Sequence, residues 1–139
     1  RMTVEIRQAI ENGIDARRLS IDDVFDTTYA PIEGSNPEQY RNRFVAFADA
    51  HVRPVLDRGM AADARGLAAA IIDVNGFLPT HISERSLPQG SDPLWNAEHC
   101  RNRRFFIDAQ TAANLKSEAP FTMETYRQDL GGGRYRPVK

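Results

Sequence analysis

The chain has 139 residues, 41% of them hydrophobic and 27% charged, a globular mix sized for one domain. Its formal net charge of -1 at pH 7 offers no basic field to nucleic acid or anionic lipid, and its single cysteine, Cys100, excludes an internal disulfide. No uncharged apolar run is long enough for a membrane span, and the opening residues do not read as a signal peptide.

In chain order, Ile6, Ile10 and Ile14 recur at four-residue intervals with Ala9 and Gly13 beside them, which predicts a first helix. Gly13 weakens that helix or marks a break or a close packing contact. Ser20 before Ile21-Asp22-Asp23 is a helix-start signal, with two acids at the positive end. Residues 26–35 contain Pro31 and Gly34 and read as a loop. Asn36-Pro37-Glu38 then predicts a second helix whose apolar face carries Tyr40, Phe44, Phe47, Ala48, His51 and Val55. Pro54 is expected to kink it, and Gly59 to end it.

Residues 66–74 end in β-branched positions and meet Asn75-Gly76, so they predict a hairpin with 77–82 as its second strand. Pro79 limits that strand to an edge or irregular position. Residues 83–93 read as a loop, and Trp95 to Lys116 as a helical crossover. Phe121 to Arg127 is rich in strand formers, Gly131-Gly132-Gly133 permits a reversal, and Arg134-Tyr135-Arg136 starts a returning strand. The expected fold class is α+β in a single domain over 1–139, with 1–60 mainly helical and 61–139 holding the sheet and crossover helix.

Three segments carry a family resemblance: Asp73-Val74-Asn75-Gly76-Phe77-Leu78-Pro79-Thr80-His81, Cys100-Arg101-Asn102-Arg103-Arg104-Phe105-Phe106, and Thr125-Tyr126-Arg127-Gln128-Asp129-Leu130-Gly131-Gly132-Gly133-Arg134. In this order and spacing the chain resembles the extracytoplasmic PAS-like (Cache-type) sensor domain of bacterial methyl-accepting chemotaxis receptors, over roughly residues 66–138. The resemblance implies an antiparallel sheet with a long N-terminal helix on one side and short helices and a pocket on the other. It also implies a periplasmic module between two membrane helices, which relays ligand binding to a cytoplasmic signalling rod. Family members usually run past the equivalent of Val138-Lys139 into a further strand, so the final strand of the sheet is expected to lie outside these residues. Some relatives hold haem through CxxCH; this sequence has no such motif, and no cofactor is expected.

The candidate site follows from the residues near the expected pocket. His81 ends the second hairpin strand, where it either donates to a ligand carboxylate or secures the loop that follows. On a helix Arg101 and Arg104 would share a face and Arg103 would point away. Arg104, beside Phe105-Phe106, is the arginine expected to be partly buried. Its partner would be a ligand carboxylate or, equally, Asp73 or Asp108. Strand alternation separates Tyr126 from Arg127; Tyr126 is the one expected at the pocket, and Arg127 carries less weight. Phe77 and Trp95 would supply an apolar wall. His51 reads as a packed histidine, and adjacent His99 and Cys100 lack useful metal-ligand spacing.

No nucleophile elbow, phosphate loop, HExxH or paired-carboxylate motif supports an enzyme. Two expectations remain: a sensor for a small carboxylate, or a PAS-like dimerisation domain that binds nothing small. In either case the stripe Ile6, Ile10, Ile14 predicts a homodimer whose contact includes the first helix.

Overall fold

The computed structural model describes residues 1–122, 126–131 and 133–138, with Gln110, residues 126–131, Arg136 and Val138 described by their backbone only. Helix α1 (Met2–Asp15) is followed by the short α2 (Ile21–Val24). The end of α1 is a Schellman motif: Arg17 N–H donates to Ile14 O and Arg18 N–H to Gly13 O, both at 2.9 Å, with Arg17 left-handed at φ 55°. The predicted start of α2 is present as a reciprocal cap, Asp23 N–H to Ser20 Oγ at 3.1 Å and Ser20 N–H to Asp23 Oδ2 at 3.0 Å.

The second long helix begins later than its sequence predicts. Asn36 and Pro37 do not open it. Asn36 N–H donates to Gln89 Oε1, Asn36 O accepts from Asn96 Nδ2, and Pro37 O accepts from Gln89 Nε2, each at 2.8 Å. With its backbone held by residues 89 and 96, the chain instead forms a small ladder of β1 (Ala30–Pro31) and β2 (Tyr40–Arg41). Helix then runs through α3 (Val45–Phe47), a π-helical turn (Ala48–Val52) and α4 (Arg53–Ala61). The π turn lies just before Pro54, whose ring and missing N–H disrupt an ordinary α ladder there. Gly59 does not terminate this helix; a Cβ at Gly59 would overlap the Met2 side chain of α1.

That contact pairs with a second at the other end of α1, where a Cβ on buried Gly13 would overlap the Phe47 ring. Met2 beside Gly59 and Gly13 beside Phe47 set α1 antiparallel to residues 45–61. The core between them contains Leu19, Phe44, Phe47, Ala48, Val52, Leu56 and Ile82, and Ile6, Ile10 and Ile14 pack onto it. The isoleucine stripe is therefore partly buried against its own chain.

The predicted hairpin at Asn75-Gly76 is present as a turn with a broken ladder. Asp73 N–H donates to Phe77 O at 2.9 Å, Ala70 bridges His81, and Ile82 N–H donates to Ala69 O at 3.2 Å. The regular strand β3 (Phe77–Leu78) pairs elsewhere, antiparallel to β4 (Arg104–Phe105), and ends before Pro79.

The predicted crossover helix over 95–116 is divided. Helix α5 (Pro93–His99), capped by Asp92, stops at Cys100; α6 (Ala109–Leu115), capped by Asp108, follows β4. Between them the backbone bonds to distant segments: Arg101 N–H to Arg85 O at 2.7 Å and Arg103 N–H to Leu78 O at 2.6 Å. A helix through 100–104 would forfeit both bonds. Finally β5 (Tyr126–Gly131) and β6 (Arg134–Val138) form the predicted glycine-turned antiparallel hairpin. The protein is α+β; among the described residues there are three two-stranded antiparallel sheets, and the helices come mainly from the first half. Among the described residues no helix is long and apolar enough to cross a membrane.

Candidate functional site

An aromatic cluster forms where β3, β4 and the 26–41 segment meet. Phe77 is fully buried, 5.0 Å from the Tyr29 ring and 5.3 Å from Phe105, with Tyr40 5.1 Å from Phe105 on the far side. Tyr29 Oη donates to Asp73 Oδ2 at 2.5 Å; burial, then this bond, push its pKa up to about 12. The same carboxylate accepts from Asn75 N–H at 2.8 Å and Phe77 N–H at 3.0 Å, which secures the Asn-Gly turn. Phe77 is thus packed against its own chain rather than facing a void.

His81 is buried beside this cluster. Its Nδ1 accepts the Ile82 N–H at 2.8 Å, so a neutral ring carries its proton on Nε2. Burial lowers its pKa to about 4, and the positive charges of Arg101, Arg85 and Arg53 push the same way. At neutral pH His81 is an uncharged residue holding the next loop while sitting in an arginine-rich neighbourhood.

Arg104 is half-buried on β4, as its aromatic neighbours predict. Its Nη1 donates to Ala97 O at 3.2 Å, and its guanidinium lies 5.2 Å from the centroid of Phe106, which Arg101 also approaches at 5.0 Å. Burial, then the Arg101 charge, lower the Arg104 pKa. Neither Asp73 nor Asp108 forms an ion pair with it, and no carboxylate among the described residues does. The supposed helical face shared by Arg101 and Arg104 does not exist, since one precedes and the other begins a strand.

Trp95 does not join His81 and Arg104. Trp95 is 39% exposed on α5 and stacks on His99 at 4.4 Å, on the outside of the helix. On the backbone Tyr126 pairs Val138 and Arg127 pairs Pro137, but the side chains of Tyr126 and Arg127 lie outside the described residues.

A polar centre that the spacing did not indicate lies nearby. Asp49, in the π-helical turn, takes Arg53 Nη2, Arg103 Nη2 at 2.8 Å and Thr80 Oγ1 at 2.7 Å. Arg53 Nε also donates to Thr80 Oγ1 at 3.1 Å. Arg103, expected to point away, is left-handed at φ 61° and partly buried, and its Nε finds no partner among the described residues. The centre ties the helix at 45–61 to the end of β3 and the start of β4. Only Asp49 and Arg53, four apart on one helix, left a signal in the sequence; Arg103 became legible once the 95–116 helix was seen to break.

Two surface clefts stand out among the described residues, and neither is lined by His81, Arg104, Phe77 or Trp95. One, of about 450 Å³, lies between α1 and the helix at 45–61; the other, of about 530 Å³, follows residues 14–23. Among the described residues no group of three or more His, Cys, Asp or Glu is placed to hold a metal ion. No family model, curated protein or solved structure matches this chain.

Proposed function

We propose that this chain is the extracytoplasmic ligand-binding module of a transmembrane chemotaxis or signal-transduction receptor, of the PAS-like (Cache-type) class, and that it recognises a small carboxylate through Arg104. The observation that carries the reading is the half-buried Arg104 guanidinium, which donates to one backbone carbonyl and pairs with no carboxylate among the described residues. A desolvated cation favours an anionic partner, and the planar fork of arginine suits a carboxylate. His81, neutral and buried, would shape the neighbourhood rather than supply charge. The three motifs from Asp73 to Arg134 support the family assignment. Flanking membrane segments and a periplasmic location belong to the same proposal.

Thermal-shift screening across short carboxylates and amino acids tests it. A bound ligand at about 100 times its dissociation constant adds roughly 2.7 kcal/mol to stability. Arg104→Ala is expected to lose the response and Arg104→Lys to retain only part of it. An unchanged response in Arg104→Ala removes Arg104 from the site.

The second reading, a PAS-like homodimerisation domain without a small ligand, is favoured by one observation. Phe77, expected to line a pocket, is enclosed by Tyr29 and Phe105 of its own chain. That reading predicts a dimer by sedimentation equilibrium and no stabilisation across the same panel.

A further inference from the structure

The cleft between α1 and the helix at 45–61 combines an apolar floor with a polar rim of net positive charge. We propose that it is a second binding site, independent of Arg104, for a small aromatic carboxylate. Its volume of about 450 Å³ falls within the ordinary range for small-ligand sites. The floor is the edge of Phe47 with the His51 ring 4.5 Å from it and tilted by 39°, an aromatic surface that another ring can pack against. Gly13, lacking a side chain, lets Phe47 sit directly against α1 and keeps the cleft wall free of a Cβ there.

The rim supplies the charge. Arg18 lines the cleft and is exposed, and its side chain has no hydrogen-bond or ion-pair partner among the described residues. Among the described residues Arg58 pairs only with Glu5, at a long 3.8 Å, and Glu5 is shared with Arg1 at 3.2 Å. Glu5, the carboxylate that lines the cleft, is therefore divided between Arg1 and Arg58, and Arg18 has none. Between them, Gln8 Nε2 donates to Asn12 Oδ1 at 3.0 Å, which leaves the Asn12 amide nitrogen to donate outward. A benzoate-sized ligand would pack its ring against Phe47 and His51 and place its carboxylate at Arg18 and Asn12, with Arg58 adding longer-range positive charge from the Glu5 end. Because the walls belong to α1 and α4, occupancy would fasten the first helix to the core.

Amide chemical shifts of the full chain, titrated with benzoate, test this directly. Saturable shifts are expected at Ala9, Gly13, His51 and Val55. Benzyl alcohol, which lacks the charge, and acetate, which lacks the ring, should each bind there about tenfold or more weakly, the loss expected for one charge-assisted contact or one stacked ring. Arg18→Gln, at an exposed position, should weaken benzoate by about tenfold, Arg58→Gln by less, and Arg104→Ala should leave it unchanged. Full affinity in the Arg18→Gln, Arg58→Gln double variant, or no saturable shift at these four amides, overturns the inference. So does a loss of benzoate in Arg104→Ala with Arg18→Gln intact, which would move the ligand to Arg104. Failure of the Arg104 reading in the carboxylate screen leaves these outcomes unaffected.

Discussion

Two side chains show how environment overrides residue type. Arg17 occupies the left-handed position of a Schellman motif, φ 55°, where glycine is the usual resident. An L-residue there is disfavoured by about 1–2 kcal/mol, partly offset by the greater unfolded freedom of glycine. Arg17→Gly is therefore expected to stabilise the fold by roughly 0.5–1 kcal/mol, measured by chemical denaturation. His81 illustrates the opposite case, a titratable group kept neutral. An unfolded histidine takes a proton near pH 6.5, whereas folded His81 refuses one until about pH 4. Its contribution is complete above pH 6.5 and is lost as pH falls toward 4, by about 3 kcal/mol in all. Asp23, Asp26 and Asp63, with pKa values lowered from 3.8, act in a separate and more acidic window. Denaturation at about pH 7 and about pH 4.5 should show this loss in the wild type and a flatter profile in His81→Gln. Equal slopes would mean that His81 is not the group responsible.

At the scale of elements, the antiparallel seating of α1 on residues 45–61 depends on two glycines that are not equivalent. A Cβ at Gly13 meets the Phe47 ring, which is itself locked in the core. A Cβ at Gly59 meets the terminal methyl of Met2, the flexible end of a side chain near the chain terminus. Gly13→Ala is expected to cost roughly 1–3 kcal/mol despite the better helix propensity of alanine. Gly59→Ala should be neutral or stabilising by up to about 1 kcal/mol. Thermal unfolding of the two variants side by side measures the difference, and equal costs would contradict the rigid-ring account. The same element carries the π turn with Asp49, so the strand ends at Thr80 and Arg103 are bonded to the one irregular stretch of the long helix.

For the whole molecule, the decisive arrangement is that the first helix turns its isoleucines inward. Ile10 packs with Ile6 and Ile14 on the Phe44–Leu56 core of the same chain. Ile10→Asp should therefore lower stability by roughly 2–4 kcal/mol, through a carboxylate placed against apolar surface, while its sedimentation profile matches that of the wild type. Dissociation of a dimer at unchanged stability would instead return the stripe to an intermolecular contact. Other apolar side chains stay exposed, among them Phe25, Val74, Ile107 and Phe121, and any self-association has those surfaces to use.

Local rules sufficed wherever a signal was short in range. The first helix, the Ser20 cap, the Asn75-Gly76 turn, the glycine-turned last hairpin and the partial burial of Arg104 were all legible, because each depends on neighbours within a few residues. Tertiary structure decided the rest. Asn36-Pro37-Glu38 has every local mark of a helix start, yet Gln89 and Asn96 draw its backbone into extended form. Residues 95–116 have helical spacing, yet Arg85 and Leu78 carbonyls capture Arg101 and Arg103, break the helix and turn Arg103 toward Asp49. Hydrogen bonds between residues 16 to 60 positions apart leave no periodic trace in the sequence, since their partners are set by the packed chain rather than by spacing along it.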